Sequence, residues 1–315
     1  MSSLPKTQRS VRINAYGGVD VIKVVTDALV PSPADNEVLV KNTYAGLNFI
    51  DTYSRTGLYP APSFPHTLGR EAEGTIAAVG KSVQNFKVGD RVAYLGIGAQ
   101  QEYTALDPFY VAHVPPAIPE GVAAAGILQG LTALAFARES YEIKNAIGAH
   151  VIATASNDQK LAIAQEHGAE FLINYSTQDW VAEVKKITKD AGGGVAAVFD
   201  GVGKDTFDGD LEVVRRKGTV VSLGNASGAV PPFAIARLSP KNLKLLRPQL
   251  FAYIAERREF EAYTREIFDW IIEGRVKVNI HKAYPLEEVA QAQTVTAHPP
   301  HGGAWLTHGA TTLGS

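Results

Sequence analysis

The stretch Lys144-Asn-Ala-Ile-Gly-Ala-His-Val-Ile-Ala-Thr-Ala-Ser-Asn-Asp-Gln-Lys160 decides how the second half of this 315-residue chain folds. His150 to Ala155 is a short apolar run of strand character. Ser156 then opens a helix, with Gln159 three residues on as its capping-box partner and Gly168 as its stop. The same unit recurs downstream. Phe171 to Ile173 predicts a strand, and Trp180, Val181, Val184 and Ile187 mark one face of a helix closed by Gly192. Val195 to Phe199 reads as the next strand, Phe207, Leu211 and Val214 as the next helical face, and Thr219 to Leu223 as another strand. Alternation at this spacing specifies a parallel sheet with right-handed crossovers. Ahead of His150, where a first strand and a glycine-rich turn belong, the sequence has neither.

Residues 11–120 are different in kind. Val38 to Lys41, Thr75 to Val79, Arg91 to Tyr94 and Glu102 to Ala105 are short strand-like runs set between Gly, Pro and Asp turns, which predicts an antiparallel or barrel-like module. A helix begins after Pro119 and Glu120 and runs through Gly130-Leu-Thr-Ala-Leu-Ala-Phe-Ala137 towards Tyr141, and this change of pattern marks a domain junction. Further on, Phe260, Tyr263, Ile267 and Ile271 define a long amphipathic helix ending at Gly274. Val276 to Ile280 returns to strand character, so the last residues are expected to rejoin the first domain.

Apolar residues make up 45% of the chain and charged ones 20%, the balance of an ordinary globular protein. A formal charge of −2 gives no whole-chain attraction to nucleic acid or anionic lipid. No run of about 18 apolar residues is present and Met1 to Arg12 has no apolar leader core, so the expected compartment is the cytoplasm. The absence of cysteine removes disulfides, thiolate nucleophiles and cysteine-held metals together. His298, His301 and His308 lie among Pro299, Pro300, Gly302 and Gly303 with no carboxylate to orient them, which reads as an irregular tail.

A dinucleotide-binding sheet needs glycines after its first strand, so that backbone N–H groups can approach a pyrophosphate. Gly96-Ile-Gly98 and Gly192-Gly-Gly194 are the nearest candidates, and both read as turns. At the end of the strand before Ser156, Ser156 and Asn157 stand where an acid commonly takes the ribose hydroxyls, with Lys160 one turn on. That set would admit a 2′-phosphate, and it equally suits a capped helix with a solvated lysine. Asn48-Phe-Ile-Asp-Thr-Tyr53, followed by Gly57-Leu-Tyr-Pro60, interleaves polar and aromatic groups. It suits either a pocket for a flat ligand, with Asn48 or Tyr53 bonding a carbonyl, or a turn and partly buried core segment.

Read together, Asn48 to Tyr53, Arg55-Thr-Gly-Leu-Tyr-Pro60, Leu68-Gly-Arg-Glu-Ala-Glu-Gly74, Val88-Gly-Asp-Arg-Val92, Gly130-Leu-Thr-Ala133, Ile173-Asn-Tyr175, Phe199-Asp-Gly-Val-Gly203, Leu223-Gly-Asn-Ala-Ser-Gly228 and Arg247-Pro248 resemble the zinc-free quinone oxidoreductases. These form the zeta-crystallin-like branch of the medium-chain dehydrogenase/reductases. The resemblance runs from about residue 10 to about residue 292. It implies an α/β protein with a GroES-like β-rich catalytic domain over residues 1–122 and 260–315. A Rossmann-type nucleotide-binding domain would occupy residues 123–259.

It also implies NADPH, hydride transfer to a quinone or similar small electrophile, no metal, no membrane and a homodimer. By position, Asn48 and Tyr53 would be catalytic, and Asn48 and Asp51 would face the nicotinamide. Thr132 would help seat the cofactor, Ser156, Lys160 and Tyr175 would hold its adenosine phosphate end, and Gly224 and Asn225 would lie near the nicotinamide. Arg70 stands where zinc-bearing cousins have a histidine, and protonation of the reduced oxygen falls to Tyr53 or to water.

The chain departs from this pattern twice. After Tyr141-Glu-Ile-Lys144 the relatives continue with a strand, a glycine loop and most of a helix, whereas here only Asn145 to Ala149 precede His150. The lost strand would be the central one in the 3-2-1-4-5-6 order. After Gln293 little family character remains beyond Gly303-Ala-Trp-Leu306. Two expectations follow: a working NADPH-dependent quinone reductase, or a catalytically impaired member with a binding role such as attachment to AU-rich RNA.

Overall fold

The computed structural model describes residues 4–140, 149–280, 282–297 and 306–309. The junction residues Asn145 to Gly148, and His298 and His301, lie outside the described residues. Two compact units result, one of residues 4–132, 254–297 and 306–309, the other of residues 133–253.

In chain order the first unit runs β1 (Thr7–Ile13), β2 (Lys23–Leu29), β3 (Val38–Leu47), α1 (Phe49–Thr56), β4 (His66–Thr67), β5 (Glu71–Val79), β6 (Arg91–Leu95), β7 (Tyr103–Leu106) and β8 (Val111–His113) into α2 (Val122–Ala135). The second unit follows as β9 (Ile152–Ala155), α3 (Asp158–Glu166), β10 (Phe171–Asn174), α4 (Trp180–Ile187), β11 (Val195–Asp200), α5 (Phe207–Val213), β12 (Val214–Ser222), β13 (Lys244–Leu246) and α6 (Leu250–Tyr253). The chain then returns to the first unit with α7 (Arg257–Ile272), α8 (Val289–Ala297) and β14 (Leu306–Gly309).

The first unit is antiparallel. β2, β1 and β4 form one sheet, while β14, β3, β5, β6 and β8 form another with β7 added on β3. β3 is long enough to take β5 along one edge, and β7 and then β14 along the other. Its apolar positions fill two cores. Val38 and Val40 pack with Ile76, Val92 and Tyr94, and Leu47 packs with Val11, Ile13 and Leu68. α7 is tied to this unit by Arg257, whose guanidinium donates to the carbonyls of Pro108, Phe109 and Val111 at 2.6, 2.7 and 2.9 Å.

The second unit is parallel and comes in two pieces. β9 pairs with β10, and β11, β12 and β13 form a separate three-stranded sheet. Among the described residues β9 has no other strand partner, and neither does β11 beyond β12. α4 packs across both pieces, since Ile173 and Val184 share a core with Ile152 of β9 and with Val195 and Val198 of β11.

Several sequence expectations are corrected. The helix after β9 is capped by Asn157 rather than Ser156, because the Asn157 side chain accepts the Lys160 N–H at 2.9 Å. Val214 opens β12 instead of closing the preceding helix. Val276 to Ile280 forms no strand; Val276 instead bonds back to the Trp270 carbonyl at the end of α7. The tail is not irregular throughout, since Leu306–Gly309, with His308 in it, pairs with β3. The first boundary between units falls inside α2, ten residues past the expected one. Glu73 of β5 accepts the Gly121 and Ala124 N–H groups and Glu71 accepts the Leu128 N–H, which holds the early turns of α2 to the first unit.

Candidate active site

At the end of β3 the chain turns at Asn48 into α1. Asp51, in the first turn of that helix, takes two backbone donors: Asn48 N–H to Oδ2 at 2.8 Å and Gly69 N–H to Oδ1 at 3.1 Å. Gly69 has φ of +102°, and a Cβ there would run into the Gln100 backbone. One buried carboxylate therefore fastens the start of α1 to the segment leading into β5. Burial pushes Asp51 up to about 6, opposed first by the Asn48 N–H and then by the Arg70 charge and the Gly69 N–H.

Glu71 opens β5 and is fully buried. Its carboxyl fills the space over Gly46 of β3, which a Cβ would occupy. Oε1 accepts Asn48 Nδ2 at 2.7 Å, and Oε2 accepts the Leu128 N–H of α2 at 2.8 Å. The other end of the Asn48 amide, Oδ1, accepts Gln129 Nε2 at 2.7 Å. A continuous chain thus runs Gln129, Asn48, Glu71, from a half-buried amide to a carboxyl with no exposed surface. Burial raises Glu71 to about 8, opposed by the Asn48 and Leu128 hydrogen bonds and reinforced by the Asp51 charge.

Around this chain Tyr53 stacks edge-on against Tyr59, with ring centroids 5.3 Å apart. Thr132 Oγ1 donates to the Leu128 carbonyl at 2.7 Å. The structure thus brings Asn48 and Asp51 into one hydrogen-bonded cluster, with Tyr53 on the same short helix and Thr132 one turn along α2 from Leu128. Sequence reading quoted Glu71 without giving it a role and missed Gln129.

The remaining expected residues belong to the second unit and form two groups at the carboxyl ends of its strands. The Ser156 carbonyl accepts Ser176 Oγ at 2.8 Å, and the Tyr175 N–H bonds the Ala155 carbonyl at 3.0 Å. Lys160 lies on the first turn of α3, where burial lowers its pKa, and among the described residues it makes no ion pair. In the second group the Leu223 and Gly224 N–H groups bond the Asp200 carbonyl at 2.8 and 3.1 Å. Gly224 there presses on the Gly201 backbone so closely that a Cβ would overlap it, and Asn225 follows in the same turn. Ligands of open parallel sheets bind beyond such strand ends.

Two family models match the chain: Alcohol dehydrogenase GroES-like domain over residues 34–116 and Zinc-binding dehydrogenase over residues 141–269. A probable quinone oxidoreductase of Schizosaccharomyces pombe is 40% identical over 306 residues, covering 90% of this chain and 91% of the relative. This chain belongs to the quinone oxidoreductase family.

Quinone oxidoreductase 1 of Escherichia coli is 36% identical over 312 residues, covering 90% of this chain and 94% of the relative. A crystal structure titled Escherichia coli quinone oxidoreductase complexed with NADPH superposes with a TM-score of 0.89 at 34% identity, covering 96% of this chain and 99% of that one. The β-rich first unit and parallel second unit are accordingly the GroES-like and Rossmann-like domains of this family's α/β fold. Although one matching family model is named for zinc, this chain has no cysteine. Among the described residues no cluster of three or more His, Asp or Glu is placed to hold a metal. No helix among them is long and apolar enough to cross a membrane.

Proposed function

We propose that this chain is an NADPH-dependent quinone oxidoreductase. The observation that carries the reading is the Asn48 amide, held at both ends by Glu71 and Gln129 on the catalytic unit of a quinone oxidoreductase fold. NADPH, when bound, supplies the hydride. On the first unit Asn48 would orient the quinone carbonyl, Thr132 would help seat the cofactor, and Asp51 keeps the start of α1 in register; on the second unit Gly224 and Asn225 would take the nicotinamide. The proton on the reduced quinone oxygen would come from the Tyr53 hydroxyl or from water.

The adenosine phosphate end fits the residues present. Ser156 leaves the end of β9 without a carboxylate, Tyr175 lies beside it, and Lys160 is a partly desolvated cation that makes no ion pair among the described residues. The pyrophosphate end does not. We take β10-β9 and β11-β12-β13 as positions 3-2 and 4-5-6 of the six-stranded order, with position 1 and its glycine loop missing. Two observations support this: among the described residues β9 pairs only with β10 and β11 only with β12, and the alignment to the yeast relative spans 306 positions while using only 90% of 315 residues. Backbone N–H groups that would hold the pyrophosphate, worth about 1.5–3 kcal/mol each to a charged group, are lost with that loop.

The function proposed is therefore the family reaction at reduced cofactor affinity, in a cytoplasmic homodimer. NADPH fluorescence titration of the purified chain is expected to give a Kd of roughly 0.1–1 mM with slow quinone reduction. No binding at millimolar cofactor would sink the reading. RNA binding, the other expectation, has no feature behind it among the described residues.

A further inference from the structure

Each link in the chain Gln129, Asn48, Glu71 has a direction. An ionised carboxylate only accepts, so an anionic Glu71 draws Asn48 Nδ2 towards it and leaves Oδ1 facing Gln129, whose Nε2 must then donate. That is the arrangement observed. A neutral Glu71 imposes the reverse. Each oxygen faces an N–H, but the backbone N–H of Leu128 cannot turn away from Oε2 whereas the Asn48 amide can turn over, which places the acid proton on Oε1, pointing at Asn48. The Asn48 amide then turns over, giving Oδ1 to Glu71 and Nδ2 to Gln129 and releasing the Asp51 N–H that its side chain accepts in the capping box of α1, and Gln129 turns in its place.

We propose that the proton on Glu71 sets the direction of the hydrogen-bond chain through Asn48 and Gln129, so that Glu71 is a positioning residue for the Asn48 amide. The surroundings leave the carboxyl little else to do. Gly46 gives it room without offering a side chain, and α2 presents the Leu128 N–H. Among the described residues the acidic neighbour acting on it is Asp51 of α1, itself stabilised by the Asn48 N–H and the charge of Arg70; burial first, and then that same charge, lowers the pKa of His66 on β4. Asp51 has both oxygens engaged by backbone N–H groups, so it raises the cost of ionising Glu71 without accepting its proton. Burial then places the loss of that proton at about 8, within the range a cell visits.

The reversal exchanges a donor for an acceptor at the free sites of the Asn48 amide. A carbonyl or carboxamide brought to Asn48 would meet a spare N–H in one state and a spare lone pair in the other. This consequence rests on the proposed placement of the quinone carbonyl at Asn48; the reversal itself does not.

The test uses the full chain, with 15N in Asn and Gln side chains and 13C in Glu carboxyls, titrated by NMR from pH 6 to pH 10 without cofactor. The Glu71 carboxyl is expected to titrate with a midpoint near 8, and the Asn48 and Gln129 amide signals to move with that same midpoint. In Glu71→Gln, checked for native fold by circular dichroism, both amide signals should stay flat. Amide signals that ignore the Glu71 titration, follow another midpoint, or still titrate in Glu71→Gln would overturn the proposal. In the quinone assay the same variant should lose the step in kcat near pH 8 and about tenfold of kcat, with the NADPH Kd unchanged. Because the amide shifts need no turnover, an inactive chain would count against the proposed reaction and leave this inference to be decided by the shifts.

Discussion

β3 and β11 are both apolar strands, yet they end in different states. β3 has hydrogen-bonded neighbours on both edges, and Val38, Leu39 and Val40 have no exposed surface. Among the described residues β11 has one neighbour, its Val195 to Val198 stay half-buried, and Phe199 is 40% exposed. An apolar strand reaches full burial only when both edges and both faces are covered, and sequence supplies only its faces. The first unit is a closed framework that buries a carboxyl completely, whereas the parallel sheet of the second comes in two pieces among the described residues.

The largest effect should come from joining the two pieces. If the proposed reading holds, a strand and glycine loop inserted ahead of His150 should tighten NADPH binding by roughly a hundredfold or more. An unchanged Kd in fluorescence titration would mean that no such loop is wanting. Next comes a demand on the closed framework. Gly46→Ala puts a methyl where the Glu71 carboxyl sits, between two strands pinned by neighbours, and should cost about 2–3 kcal/mol in denaturant unfolding. A loss within about 0.5 kcal/mol would show that the framework yields.

Acidity separates the two units less than their sheets do. Glu71 in the first unit and Asp210 in the second are both pushed up to about 8, by burial in each case, with Asp200 adding to the shift of Asp210. A carboxyl whose folded pKa is raised binds its proton more tightly in the folded chain. Its contribution is therefore complete below the unfolded value near 4 and is lost as pH rises through the folded value. Stability should fall by on the order of 2 kcal/mol per group between pH 5 and pH 9, read by unfolding at each pH. Asp210→Asn should remove its share of that fall, and an unaltered pH slope would count against the paired acid.

Smaller effects probe the second unit. Lys160→Met should weaken NADPH about tenfold and leave NADH untouched, measured by parallel titrations. Val221→Ala, at a position of β12 with no exposed surface, should cost about 2 kcal/mol, whereas Val198→Ala in β11 should cost less than about 1 kcal/mol. Equal costs would erase the contrast between paired and unpaired strands.

What the sequence disclosed and what it withheld divide along the same physical line. Alternation and periodicity are local, so the runs at Val38, Arg91, Phe171 and Val195 and the face of α7 could be read directly. Tertiary choices could not. Gln129 sits in a helix of small and apolar residues, and only the turn of α2 over β5 brings it to Asn48. Glu71 carried a weak signal, a carboxylate two residues before another on a strand with glycine after both. Its burial depends on Gly46, far away in sequence. The helix after β9 offered two adjacent capping residues, and the choice fell to Asn157, whose side chain takes the Lys160 N–H. Val276 to Ile280 had strand composition, yet Val276 bonds the Trp270 carbonyl at the end of α7 instead of a strand.

The space shared by Gly46 and Glu71 has a consequence for how such a chain can vary. The two positions, one on β3 and the other on β5, behave as a single volume divided between two side chains. Any lengthening at 46 requires a shortening at 71, and a shortening at 71 takes the acceptor away from Asn48. Drift at a residue that touches no ligand is thereby tied to the chemistry of one that would.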